Sequence, residues 1–246
     1  MICKFCDKDK KLCKSHIIPE SFFKFGHVAN DNPYLISNKN DHHPQRRPIG
    51  EYDNSILCAN CENVFSVWEQ YGKEILLDRF QEFSEIVEDG QPIGSSLTDW
   101  NYGQLKLFCL SVVWRASVST QPMFKKVNLG PHDEQIRKLL ASRNPTDPDD
   151  YAISIFRFTG VDYGLPTLMP LKIRSTYGLI FYRIYWGDFF FDIKVDKQRT
   201  PEKYTLGTLI PGEALIIYNR NIRESREYDI LRKIARHNEN KGPFKN

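Results

Sequence analysis

Two pairs of cysteines carry the clearest chemistry in this chain. Cys3-Lys4-Phe5-Cys6 and Cys58-Ala59-Asn60-Cys61 are both C-x-x-C units. A tetrahedral thiolate site wants four sulfurs delivered on two short turns, and this spacing supplies them. Redox chemistry is the competing use of such a pair. A redox C-x-x-C usually opens a helix after a strand, whereas the first pair here sits at the extreme N-terminus with no strand before it. The spacing therefore predicts one structural Zn2+ held by Cys3, Cys6, Cys58 and Cys61. Structural zinc contributes about 10–16 kcal/mol to the folding of a small module, so its removal is expected to unfold residues 1–78. Two cysteines remain: Cys109 lies in an apolar helical run and reads as core, and Cys13 is near the site without a partner.

Between the pairs stands Leu12-Cys13-Lys14-Ser15-His16-Ile17-Ile18-Pro19-Glu20, a histidine followed by apolar residues and proline, as at the end of a short strand. A zinc knuckle, an H-I-I-P strand, a variable loop and an I-L-C-x-x-C leading into a helix follow in that order. Over residues 1–78 this order resembles the zinc-containing HNH endonucleases of the treble-clef, ββα-metal class. The resemblance implies a general base at His16, which would take a proton from water attacking a phosphodiester. It implies a catalytic Mg2+ or Mn2+ held by Glu62, which directly follows the last knuckle cysteine. The middle position of the signature falls on Asp53, with Asn54 one step along, and its usual role is to hold the hairpin loop. His16, Asp53 and Glu62 are thus the expected catalytic set.

The chain departs from the family pattern at three places. Ser15 stands where many members carry an acidic metal ligand, Glu62 replaces His or Asn, and Asp53 replaces Asn. Glu69, two helical turns after Glu62, and His42 or His43 are candidate extra ligands; a solvated helix face and an exposed loop are their alternatives. For His16 the alternative is a structural histidine or an accessory zinc ligand in a module without catalysis. The resemblance implies a nucleic-acid partner, DNA ahead of RNA, and by analogy with other fusions of such modules a role in phage defence.

The elements that must position these residues divide the chain. Residues 1–78 hold five of the six cysteines and four of the six histidines. Residues 25–52 read as a loop rich in Asn, Asp, His and Pro. From 61 to 87 the apolar residues Val64, Phe65, Trp68, Tyr71, Ile75 and Leu76 recur at helical spacing, which predicts a long amphipathic helix. Residues 89–96, with two glycines and a proline, read as a linker, which places a domain boundary at 94. Residues 1–94 are then a treble-clef zinc module and 95–246 a second domain. There, 105–119 is apolar almost all round and predicts a buried helix, and Gly130-Pro131 opens another. Strands are expected at 152–158, 167–173, 179–186, 189–195 and 214–218, with a hairpin at Trp186-Gly187-Asp188-Phe189, and a basic helical tail at 223–237. The expected class is α+β, a ββα zinc module followed by a helical plus antiparallel β-rich domain.

Within the second domain, Arg115 in its apolar helix needs an acid or an anionic ligand, and Asp99 or Glu134 is the expected partner. Trp114 reads as core, and His132 and Arg137 as surface charge. The β-rich part, with Arg174 and Arg183, offers a platform for substrate or for a protein partner.

Composition bounds the rest. A hydrophobic share of 41% with 16 Phe, 12 Tyr and 4 Trp suffices for a packed interior and excludes a disordered chain. The net charge of +3 is too small to imply a polyanionic partner by itself, although Lys4, Lys8, Lys10, Lys11 and Lys14 cluster at the start. The opening lacks the apolar run of a secretory signal, and the most apolar helical stretch is shorter than the ~20 residues a bilayer crossing needs, so a cytoplasmic protein without a membrane span is expected. A reducing compartment agrees with cysteines used for metal instead of disulfides.

Overall fold

The first part of the chain, polar and with little periodicity, forms only short elements. These are β1 (Ser15–His16), α1 (Glu20–Phe25), β2 (Tyr34–Leu35), β3 (Gln45–Arg46) and β4 (Tyr52–Asp53). They are seen in a computed structural model that describes residues 1–25, 34–35, 44–46, 50–160, 165, 167–239 and 241. β1 and β4 pair antiparallel, with Ser15 opposite Asp53 and His16 opposite Tyr52, and β2 pairs with β3.

The helix after the second cysteine pair, α2 (Ala59–Lys73), buries Cys61, Phe65, Trp68 and Gly72, the four-three-four spacing of one helical face. It is shorter than the helix expected over 61–87. Past Lys73 the backbone widens into a π-type turn over Glu74–Asp78 that buries Ile75 and Leu76. Then β5 (Ser84–Glu88) and β6 (Gln91–Leu97) form a hairpin. The β-branched Ile86 and Val87 suit a strand, and Asp89 and Gly90 at φ 49° and 74° supply the two positive dihedrals that a tight hairpin turn requires. The stretch read as a linker is therefore hairpin, and residue 94 lies inside β6. A side chain at Gly94 would sit 2.8 Å from the carbonyl oxygen of Ile217 on the neighbouring strand.

The apolar run becomes α3 (Tyr102–Val118), capped by the Asn101 side chain at the Gln104 amide (2.9 Å) and buried continuously from Leu105 to Ala116. Next comes α4 (His132–Ser142), which follows Pro131 and ends at Arg143 in a left-handed conformation. Then β7 (Ile153–Thr159), β8 (Leu171–Arg174), β9 (Ile180–Trp186), β10 (Phe189–Lys194) and β11 (Leu215–Asn221) lead to α5 (Arg226–Asn238). The strand expected at 167–173 begins only at Leu171, since Pro170 before it has no N–H for a ladder.

The seven-stranded sheet runs β5-β6-β11-β7-β10-β9-β8. Its central pair, β11 with β7, is parallel, so the sheet is mixed and not antiparallel throughout. The chain is α+β. One apolar core joins Cys3, Phe5, Phe65 and Trp114 to Ile153, Trp186, Phe191 and Ile217, and so extends on both sides of residue 94. A smaller cluster of Phe158, Tyr185, Phe190 and Ile222 lies under α5. α2 and α3 approach closely at Gly72, where an added Cβ would meet the Phe108 ring at 2.5 Å. No helix among the described residues is long and apolar enough to cross a membrane.

Candidate metal centre and active site

The first cysteine turn closes on itself. Asp7 donates its amide to the Cys3 carbonyl (2.9 Å), and Cys3 donates to that of Lys8 (3.0 Å). Lys4 then bonds to the Ile56 carbonyl (2.9 Å), setting the first turn against the second. Cys58 is the residue that starts α2, and its carbonyl accepts from Cys61 and Glu62, both at 3.0 Å. The four Sγ atoms of Cys3, Cys6, Cys58 and Cys61 all lie within 4.8 Å of one another, positioned to bind a metal ion. Burial opposes charge on Cys58, but bonds from the Cys61 amide and the neighbouring thiols outweigh it and hold the thiol down at about 7, whereas burial and the same neighbours push Cys61 up. Four sulfurs this close deprotonate as a set, and a bound cation would replace their protons.

The second half of the chain braces this centre. Lys4 Nζ donates to the Val118 carbonyl at the end of α3 (2.6 Å), and Arg137 of α4 donates to the Phe5 carbonyl (2.7 Å). Phe5 packs edge-on against Phe65 and Trp114 at 4.9 and 5.5 Å. Trp114 is thus core, and Arg137 is more than surface charge.

His16 ends β1 and is followed by the fully buried Ile17 and Ile18. Its ring is half-buried, and Nε2 is buried with no hydrogen-bond partner. Burial and then Lys14 lower its pKa, against the upward pull of Glu20 and Glu69, which favours the neutral imidazole. The Tyr52 ring lies 6.1 Å away, and Lys14 Nζ sits 4.1 Å over that same ring.

The backbone at His16 is held from α3. Arg115 is fully buried and donates Nη1 to the His16 carbonyl at 2.6 Å, while the same guanidinium is ion-paired with Glu69 of α2. Its Nε reaches the Ser111 carbonyl (3.3 Å), and its plane lies 5.3 Å from the Phe65 ring centre. The partners expected for Arg115 are engaged elsewhere: Asp99 with Arg79 (3.2 Å) and Glu134 with Arg137 (2.7 Å). Packing of α2 on α3 decides the pairing, because it brings Glu69 and β1 to Arg115, whereas Lys106, the other charge on the buried helix, bonds to the Asp147 carbonyl. Glu69 is therefore committed to Arg115.

Glu62 lies in the first turn of α2, half-buried, and accepts a hydrogen bond from Ser15 Oγ. Burial raises its pKa, with Ser15 and Arg115 pulling the other way. The two positions that the HNH resemblance assigns to cation ligands are thus in contact with each other. Asp53 has a different situation. It accepts from the Ser55 amide and hydroxyl (2.8 and 2.6 Å), Ser119 Oγ (3.0 Å), and the Thr120 amide and hydroxyl (2.7 and 2.9 Å). These bonds overcome burial and lower its pKa to about 2. Its carboxylate ties the β4 turn to the end of α3, and so stands in a loop-holding position.

Among the described residues the four cysteines form the only set of three or more potential ligands this close together, so neither His16 nor Glu62 belongs to a second one. His42 and His43 lie outside the described residues. Cys13 Sγ contacts the Leu57 carbonyl (3.5 Å), and Cys109 is fully buried in α3. A depression of about 480 Å³ lined by Arg199, Thr200, Pro201, Glu202 and Thr205 contains none of these groups. Comparison with known protein families, characterised proteins and solved structures found no match.

Proposed function

We propose that this chain is a metal-dependent endonuclease of the HNH type, hydrolysing nucleic-acid phosphodiesters with His16 as general base. One observation carries the reading: a histidine with a lowered pKa and an unpartnered Nε2 stands on a two-stranded antiparallel sheet whose second strand is followed by a cysteine-anchored helix. A base in this reaction must be neutral at working pH and have a ring nitrogen not already spent on another partner.

The four-sulfur set suits a structural Zn2+, for which tetrahedral thiolate sites are the common arrangement, and it makes the N-terminal module a zinc-stapled treble clef. Its task is to hold β4 and α2 in place beside β1. Glu62, with the Ser15 hydroxyl beside it, offers an oxygen donor set that fits a hard cation, which usually takes one or two carboxylates and fills the rest of its shell with water and substrate phosphate. Mg2+ or Mn2+ there would supply positive charge to the phosphate oxygens. The chain's own residues do the remaining work. Arg115 fixes the backbone of His16, the half-buried His16 ring takes the proton of the attacking water, and Lys14 with Lys8, Lys10 and Lys11 favours a polyanionic substrate, DNA ahead of RNA.

The test is nicking of supercoiled plasmid, and in parallel cleavage of RNA, with Mg2+ or Mn2+, comparing wild type with His16→Ala. Loss of a general base lowers the rate about 10²- to 10⁴-fold. Equal rates in the two proteins, or two inert and well-folded proteins, exclude the reading.

The Ser15–Glu62 bond and the lack of a second ligand cluster among the described residues favour one other reading, a zinc-stapled module that binds nucleic acid without cutting it. That module would show DNA binding that weakens as salt rises, with no turnover.

A further inference from the structure

The two outer strands of the seven-stranded sheet have opposite character. β5 closes one edge and β8 the other, and neither has a partner on its outer side among the described residues. Along residues 84–89 the charged side chains are Glu85, Glu88 and Asp89, all acidic. Along 167–179 they are Lys172 and Arg174, both basic. None of the five is ion-paired with a described residue; Arg174 makes one hydrogen bond, to the Gly178 carbonyl of its own hairpin (3.4 Å).

β5 adds no residue to either apolar cluster, and only Ile86 on it is even half-buried. Packing of the core therefore does not account for this strand. Three of the seven exposed large apolar side chains among the described residues lie at these two edges: Val87 at 55% on β5, with Met169 at 44% and Tyr177 at 57% flanking β8. An open strand edge is a template for another strand, and its charges decide which one. Two β5 edges repel each other, as do two β8 edges, whereas β5 beside β8 sets acid against base.

We propose that β5 of one copy pairs with β8 of a second copy, so that the sheet continues from molecule to molecule. An antiparallel register with Ile86 opposite Ile173 sets Glu85 opposite Arg174. The half-buried Ile86, Leu171 and Ile173 then share one face, with Ser84 and Glu88 at its ends, and Glu85, Val87, Lys172 and Arg174 share the other. Because the joined surfaces differ, the contact is head-to-tail and generates a ring or an open chain instead of a closed two-fold dimer. This inference does not depend on the nuclease reading.

Sedimentation velocity of the full, metal-loaded chain tests it, over rising protein concentration at low and at high salt. Species larger than a monomer are expected at low salt, decreasing as salt screens the pairs. Two charge-reversed proteins follow, Glu85→Lys/Glu88→Lys and Lys172→Glu/Arg174→Glu. Each should lose association roughly tenfold to a hundredfold, since attractive cross-strand pairs become repulsive ones. An equimolar mixture of the two should assemble again, because every mixed junction regains opposite charges. A wild type that stays monomeric throughout overturns the proposal. So does a reversed protein that assembles like wild type, or a mixture that remains monomeric while both proteins keep the wild-type circular dichroism spectrum.

Discussion

Replacing Arg115 with methionine tests how the second half of the chain supports the candidate base. The guanidinium is fully buried and serves four groups: the His16 carbonyl at 2.6 Å, the Ser111 carbonyl at 3.3 Å, the Ser111 hydroxyl at 3.4 Å and the Glu69 carboxylate, whose side chain is only 18% exposed. Arg115→Met keeps the apolar volume of the stem and removes all four interactions. Breaking a buried pair from one side costs about 3–5 kcal/mol, because the remaining charge stays buried without compensation. A domain has only about 5–15 kcal/mol to lose. At about 2–4 °C per kcal/mol for a chain of this size, the melting temperature should fall by roughly 6–20 °C. The companion protein Arg115→Met/Glu69→Gln removes the stranded charge and should recover more than half of that loss, leaving mainly the unpaired His16 carbonyl. Urea unfolding and calorimetry of wild type, both single variants and the double variant close the cycle. A loss under about 1 kcal/mol for Arg115→Met, or a double variant no more stable than it, refutes the buried-pair reasoning. The His16 imidazole supplies a local readout. Arg115 lowers its pKa and Glu69 raises it, so Arg115→Met should shift the imidazole titration upward and Glu69→Gln downward.

Other outcomes follow from the same contacts. Stripping the metal with a strong chelator, or Cys58→Ser, should remove one tightly bound zinc per chain, read by elemental analysis, and with it the folded signal of the cysteine-anchored segment. Gly72→Val should destabilise by about 1–3 kcal/mol in urea unfolding, since its Cβ lands 2.5 Å from the Phe108 ring between α2 and α3. Asp53 has a folded pKa of about 2, below the ordinary carboxylate value, so its stabilisation is present above pH 3.8 and lost as pH falls toward 2. That contribution is about 2 kcal/mol, and Asp53→Asn should flatten the corresponding part of a stability-versus-pH curve. His16 is likewise depressed, so its share of stability is complete above pH 6.5 and declines as acid protonates the unfolded chain first; His16→Ala should reduce that decline.

The parts of the fold legible in the sequence are those set by short-range pattern. Two C-x-x-C units at the ends of a polar stretch marked four sulfurs that do converge, and the uninterrupted apolar run marked the buried helix α3. The Trp186-Gly187-Asp188-Phe189 turn was visible because its glycine adopts a positive φ of 61° between two aromatic strands. Longer-range pairing was not visible. Residues 84–88 continue a helical pattern on paper, yet ladder bonds to β6 make them a strand, and the parallel contact of β11 with β7 joins segments about sixty residues apart that no local signal links. At the site, Arg115 was conspicuous as a charge in an apolar helix, but its partner depended on which helix packs against it. The neighbouring acids Asp99 and Glu134 were taken by arginines closer to them. Asp53 was picked out by its count from Glu62, a signal of position and not of environment; the five donors around it come from two separate segments.

Assignment of His16 as the base is tested most directly by following one group in two ways. The imidazole of selectively labelled His16 is titrated by NMR in the metal-loaded chain, and the pH dependence of plasmid nicking is measured on the same protein with Mg2+ or Mn2+. Because burial depresses this histidine, the acid limb of the rate should have its midpoint below pH 6.5, coincide with the NMR titration and be absent from the residual rate of His16→Ala. A rate that stays level while the imidazole gains its proton, or an unchanged limb in His16→Ala, contradicts the assignment.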